Sequence, residues 1–324
     1  MPGLWAVPAV TRRIAAFWRR RWRQIAVAFA AGVAIAAVAL AIVNIAIFAW
    51  WQREPPDDVR SRGLNAYWAA HTWVGDPHTD DEYRAFAESL VAHEISDLLA
   101  HAGPLEADGS VPADKLTAAR PFLDAMATYA PGVRVQAYLG QIEARDGGTL
   151  DLRDATVRDG IARTAGEMIA LGFDGVHYDI EPIPSGDEAF LDLLDRTRVE
   201  IDARGGGIIS VALEQMRLPA GMRHAIRAVD AGNHDPSPEY LRAVAQRADQ
   251  VAIMTYDTGA PLAYLFGAFI AWQTEHVTRT IGRDADVFIG VPTYDSGGPL
   301  RFHPRAENMA SGVRGVRKGI ARLP

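Results

Sequence analysis

"LGFDGVHYDIEP", residues 171–182, decides the fold. Within it Val176, Tyr178 and Ile180 alternate with His177, Asp179 and Glu181. Successive side chains of a β-strand point to opposite faces, so the first three share one face and the last three the other. The apolar face suits packing under helices. The polar face sets two carboxylates two residues apart in an otherwise apolar run, and burying ionised carboxylates costs several kcal/mol unless they are paired or protonated. Such a pair shares a proton or draws on a third partner, and crowding raises the pKa of one member. A raised carboxyl pKa is what a general acid at neutral pH requires. A strand-end Asp-x-Glu also caps helices and pairs with arginines in many proteins, so the doublet alone leaves both readings open.

Outward from this stretch, short apolar runs alternate with longer amphipathic ones, the pattern of repeated βα units. Strands are predicted at residues 63–68, 95–103, 133–140, 173–181, 207–214, 250–257 and 286–295, seven in all. Helices are predicted near 80–91, 113–130, 154–171, 187–204, 237–248, 261–281 and 307–323. Seven strand–helix units are one short of a (β/α)8 barrel, which takes about 250 residues; residues 63–324 number nearly that. The expected fold is therefore α/β, a TIM-barrel-like domain lacking its eighth strand, with a doubly wound open sheet as the alternative. No glycine-rich phosphate loop joins the first strand to the first helix, as a dinucleotide-binding sheet would require. On a barrel strand the polar set faces the lumen, and Glu181 comes last, at the C-terminal rim where barrel active sites lie.

The 324 residues carry a net charge of −7 and no cysteine. Disulfides, thiolate metal sites and a cysteine nucleophile are thereby excluded. The charge is unevenly spread: residues 1–60 hold eight arginines against three acidic residues, a net of +5, leaving −12 beyond them. A body that acidic argues against a nucleic-acid partner, because phosphate binding needs a positive footprint.

Residues 25–49, "IAVAFAAGVAIAAVALAIVNIAIFA", carry no charge. As a helix they span about 37 Å, enough to cross a hydrocarbon core of about 30 Å. Trp50 and Trp51 follow where an aromatic belt would lie, and Arg12, Arg13, Arg19, Arg20, Arg21 and Arg23 precede. The positive-inside rule then keeps the N-terminus cytoplasmic and sends the rest across the cytoplasmic membrane. A cleaved signal peptide would have a shorter apolar core, about 7–15 residues, and small residues at its cut; this run ends in bulky "FAWWQREPP". The expected organisation is an arginine-rich cytoplasmic segment (1–24), a single transmembrane helix (25–51), a polar linker whose two prolines stop any helix (52–62), and a catalytic domain outside the membrane (63–324).

"DGVHYDIE" resembles the D-G-x-D-x-D-x-E signature on the fourth barrel strand of glycoside hydrolase family 18, the chitinase-like and endo-N-acetylglucosaminidase-like enzymes. Asp174 matches its first Asp, Asp179 its third and Glu181 its catalytic Glu, while His177 stands where the family has an Asp. "IMTYD" is similar to the family's M-x-Y-D on strand six, giving Met254, Tyr256 and Asp257. "IGVPTYD" is similar to its G-x-P-x-Y on strand seven, giving Gly290, Pro292 and Tyr294. The resemblance implies substrate-assisted hydrolysis of a bond next to an N-acetylhexosamine in a chitin-like or cell-wall glycan. Glu181 would be the acid and base, Asp179 would orient the substrate acetamide, and Tyr256 would hydrogen-bond its oxygen. Asp174, His177, Met254 and Asp257 would support them, and no metal or cofactor is implied.

Two departures from the family pattern stand out. A neutral His177 can hydrogen-bond Asp179, whereas an imidazolium would hold Asp179 ionised; the other reading is a satisfied core histidine. After the seventh strand only a helix follows, so the lumen-facing Trp that the family carries on its eighth strand has no counterpart there, and an open barrel leaves two strand edges unpaired. Of the aromatics near the predicted rim, Tyr67 and Tyr294 are the candidates for stacking on sugar rings; Trp68 and Trp73 are expected to pack. His234 and Asp235, in "GNHDPSP", read as loop rather than metal ligands. A non-catalytic carbohydrate-binding barrel, or a glycosidase using Asp179 and Glu181 as an ordinary carboxylate pair, are the competing functions.

Overall fold

Each alternating run becomes a strand: β1 (Ala66–Ala69), β2 (Asp97–Pro104), β3 (Arg134–Ile142), β4 (Gly175–Glu181), β5 (Ile208–Glu214), β6 (Gln250–Met254) and β7 (Asp286–Gly290). In the computed structural model, described over residues 9–59, 63–216, 235–294 and 303–324, these seven pair in sequence order, all parallel. They form a nearly closed, TIM-barrel-like α/β fold. Among the described residues no strand bridges β7 and β1. The helices α2 (Thr72–Gly75), α3 (Asp80–Ala92), α4 (Ala119–Tyr129), α5 (Ala155–Leu171), α6 (Glu188–Asp202), α7 (Pro238–Ala245), α8 (Ala263–Ile281) and α9 (Met309–Ile320) alternate with the strands. The chain divides into two compact units, Met1–Glu54 and Pro55–Pro324. The first holds α1 (Ala9–Gln52), whose Arg21–Gln52 portion is long and apolar enough to cross a membrane.

Local chemistry sets the ends of these elements. Thr79 and Glu82 close α3 with a reciprocal capping box, and Asp187 caps α6 by accepting from Ala189 N and Phe190 N. The helix expected over residues 113–130 is broken into a 3-10 turn, Ala113–Leu116, and α4. Pro121 explains the break: it has no N–H to give and so belongs in the first turn of a helix that begins at Ala119. β7 stops at Gly290, short of the expected residue 295, and Pro292 cannot donate to a ladder; residue 295 itself lies outside the described residues.

The alternation of β4 is realised as read. Val176, Tyr178 and Ile180 are buried in the main core beneath the helices, each apolar side chain of this size contributing about 1.5–3 kcal/mol. His177, Asp179 and Glu181 take the other face, into the lumen, which is filled in layers. At its N-terminal end Asp97 Oδ1 accepts from Gln136 Nε2 and Gln250 Nε2, each at 3.0 Å, and Gln136 Nε2 also reaches Gln250 Oε1 at 2.8 Å. Asp97 Oδ2 pairs with Arg134 at 2.6 Å. One layer up, Trp68 Nε1 donates to His177 Nε2 at 3.0 Å, and His177 Nδ1 meets Ser210 Oγ at 2.8 Å. An indole N–H only donates, so Nε2 is the acceptor and Nδ1 carries the proton. The Trp68 indole lies on the side of the gap between β7 and β1: a Cβ built on Gly290 of β7 would stand 3.3 Å from Trp68 Cη2.

Burial lowers the His177 pKa to about 3, against about 6.5 in an unfolded chain. Above about pH 6.5 both states are neutral and the full stability is present. As pH falls from there towards 3 the unfolded chain takes up a proton that the fold refuses, and stability drops by about 1.4 kcal/mol per pH unit. Urea unfolding at pH 7 and pH 4.5 should therefore show the wild type losing roughly 2–3 kcal/mol more than His177→Gln. Equal losses would mean that His177 is protonated in the folded protein.

Candidate active site

β4 carries Asp179 and Glu181 to the C-terminal mouth of the barrel. Register places Gly140 of β3 beside Asp179 and Ile142 beside Glu181. Glu143 N donates to Glu181 O at 2.7 Å, which extends the β3–β4 pairing past the end of the strand. The buried Glu143 carboxylate is held by Arg145, and Arg145 reaches Asp187 at 2.6 Å. This ion network ties the rim of β3 to the start of α6 and leaves Glu181 on a fixed backbone.

Asp179 Oδ2 accepts the Tyr138 hydroxyl at 2.5 Å, while its Oδ1 is buried with no hydrogen-bond partner among the described residues. Burial raises the Asp179 pKa, and the Tyr138 bond works against that rise. Glu181 is pushed up to about 7, by burial first and then by the charges of Asp179 and Glu214. A carboxylic acid with that pKa holds a proton at neutral pH and can release it. Glu214, at the end of β5, is a carboxylate of the mouth that the motif comparison does not single out.

Tyr256 follows β6. A Cβ on Gly290 would stand 3.2 Å from its Cε1. Burial, then the charges of Asp179 and Glu181, drive its phenol pKa upward, so its hydroxyl remains a donor. Tyr294 crosses its ring at 6.1 Å and 85°, and donates to Asp257 Oδ1 at 2.8 Å. Asp257 itself has φ +56°, a left-handed backbone uncommon outside glycine and found at turns and at binding sites. Met254 pairs in register with Gly290 and Glu214 on the same face of the sheet. Glu181, Asp179, Tyr256, Met254, Asp257 and Tyr294 therefore gather at one end of the barrel.

Three expected residues stand differently. Tyr67 is on the outer face of β1, against Phe86 of α3 at 6.5 Å, and is not a lumen residue; one step of the strand separates it from Trp68, which is. Asp174 lies at the opposite end of β4, where its Oδ2 accepts from Val135 N at 2.7 Å and locks the entry of β3. His177 shares the lumen with Asp179, but both its nitrogens are spent on Trp68 and Ser210. The partner of Asp179 is instead Tyr138, which the sequence reading missed. The signal was present in "VRVQAYLG", where Arg134, Gln136 and Tyr138 alternate with Val135, Ala137 and Leu139 as plainly as in β4. Among the described residues, no cluster of three or more His, Asp or Glu side chains is arranged to hold a metal.

No family model and no curated protein matches the sequence. Solved structures do match. The spore cortex-lytic enzyme SleL of Bacillus megaterium QM B1551 aligns with a TM-score of 0.51 at 17% identity, over 79% of this chain and 59% of that one. SleL of Bacillus cereus aligns at 0.48 and 17%, over 69% and 49%. A chitinase from Chromobacterium violaceum ATCC 12472 aligns at 0.48 and 14%, over 70% and 68%. The chain thus spans between 49% and 59% of the length of the two cortex-lytic enzymes. What this likeness establishes is the fold, a TIM-barrel-like α/β fold.

Proposed function

We propose that this protein is a glycoside hydrolase that cleaves the bond next to an N-acetylhexosamine in a cell-wall or chitin-like glycan, held in the cytoplasmic membrane by α1 with the barrel outside. The observation that carries this reading is Glu181 at the barrel mouth with a pKa of about 7, beside an Asp179 whose Oδ1 is buried and unpartnered. A single proton-donating acid suffices if the substrate supplies its own nucleophile, one of the exceptions to the two-carboxylate scheme. Protonated Glu181 gives its proton to the glycosidic oxygen as the anomeric C–O bond breaks. The carbonyl oxygen of the sugar's acetamide closes onto the anomeric carbon from the other face. Asp179 accepts the acetamide N–H, the charge-assisted bond its open oxygen lacks, and Tyr256 O–H donates to the acetamide oxygen. Water then attacks the anomeric carbon and breaks its bond to the acetamide oxygen, restoring the acetamide; the Glu181 carboxylate takes the water's proton, and the stereochemistry is retained.

Glu181→Gln is expected to reduce hydrolysis of a chromogenic N-acetylglucosamine oligomer and of peptidoglycan by on the order of 10³-fold while leaving the fold intact. Comparable rates in the two proteins would remove Glu181 from the role of acid. The sign of the pH dependence follows from the raised pKa: Glu181 must be protonated to act, so activity falls as pH rises through about 7. A rate that climbs between pH 6 and 8 would contradict the assignment. For the anchor, the full-length chain should stay in the membrane pellet through alkaline carbonate extraction, and protease added to intact spheroplasts should digest the barrel. Release by carbonate, or protection of the barrel, would sink the topology.

A further inference from the structure

Asp179 has two oxygens and, among the described residues, one donor. The donor is Tyr138, and three features hold its ring in place. His101 meets it edge-on at 4.7 Å and 86°, and His177 at 5.6 Å and 78°. Gly140, which lies beside Asp179 in the strand register, supplies the third. A Cβ at position 140 would stand 2.9 Å from Tyr138 Cε2 and 3.3 Å from its hydroxyl. The absent side chain is thus the opening through which the ring leans from β3 onto β4. Residue 177 is nearer to Asp179 in sequence, but Trp68 and Ser210 occupy both its nitrogens.

We infer that Tyr138 is a positioning residue of this site: reaching through the space left by Gly140, its O–H holds Asp179 Oδ2 so that the unpartnered Oδ1 faces a donor on the bound substrate. This rests on the hydrolase reading for the identity of that donor, an amide N–H; the hold on Asp179 stands on the geometry alone. Tyr138 acts through Asp179 and touches no reacting atom. The ionisable groups around Asp179 are Tyr138 from β3, Glu181 on its own strand and Tyr256 after β6; Glu214 from β5 acts on Glu181, and His101 flanks Tyr138. Without the Tyr138 bond neither oxygen of Asp179 has a donor, and burial then favours the protonated form, which no longer accepts with both oxygens. A neutral Asp179 also withdraws one of the two charges that raise Glu181, so the Glu181 midpoint falls.

The test is a ¹³C-carboxyl NMR titration of the full-length protein, labelled at aspartate, with the Asp179 signal assigned by its loss in Asp179→Asn. In Tyr138→Phe the Asp179 midpoint should rise by about one pH unit or more, ~tenfold in proton affinity. Gly140→Ala keeps the tyrosine but fills the gap beneath it, and should move the midpoint the same way. It also carries the test if Tyr138→Phe does not fold. On a chromogenic N-acetylglucosamine oligomer both variants should lower kcat and shift the alkaline limb of the profile to lower pH. An Asp179 midpoint unmoved in the folded variants overturns the inference, whether or not the protein hydrolyses glycan. A shifted midpoint in a protein that cleaves nothing supports the hold of Tyr138 on Asp179 and removes the hydrolase reading instead.

Discussion

Polar groups enclosed by a ring of strands have only each other for partners, and a buried carboxylate or imidazole without one costs several kcal/mol. This constraint orders the lumen from end to end. At the N-terminal end Asp97 accepts from four side chains, Ser96, Arg134, Gln136 and Gln250, and among the described residues Gln136 Oε1 is left without a partner. In the middle His177 is satisfied on both sides by Trp68 and Ser210. At the mouth the pairing is left half finished: Asp179 has a donor on one oxygen and none on the other. Asp97 and His177 are held on all sides and read as scaffold, whereas Asp179 keeps one open oxygen at the mouth, where a substrate can reach it.

The histidine at position 177 changes the electrostatics of that site. An Asp there would add a third carboxylate to the face of β4. A neutral imidazole adds none, so the proton affinity of Glu181 is set by its own burial, by Asp179, and by Glu214 across from it on β5. The same histidine fixes the Trp68 indole, which occupies the lumen beside the gap between β7 and β1 and approaches Gly290 there. An aromatic ring from β1 thus fills space at the place where the sheet is not continuous.

Strand positions were legible in the sequence because short apolar runs and period-two alternation are local properties, repeated seven times. The faces were legible too, wherever the alternation was followed: it sorts Val176, Tyr178 and Ile180 from His177, Asp179 and Glu181 without any structure. The same rule applied to β1 puts Trp68 and not Tyr67 in the lumen, and applied to β3 it puts Tyr138 there. Neither belongs to a motif: the sequence marks Trp68 only as a packing aromatic and does not single out Tyr138. Asp174 shows the converse. It matches the motif and lies at the end of the strand away from the mouth, where its work is to bond Val135 N.

The sequence by itself determined the apolar helix, the seven strands, and which end of β4 carries the carboxylates, since hydrophobic periodicity and chain direction suffice for these; the sequential order of the strands in the sheet came from the structure. Only the tertiary structure decided the pairings: that His177 is spent on Trp68 and Ser210, that Asp179 belongs to Tyr138, and that Glu214 stands near enough to raise Glu181. Each of these joins residues more than thirty positions apart in the chain. Hydrogen bonds and charge effects depend on distances of a few ångströms, which strand register and the curvature of the barrel set together and no local pattern records.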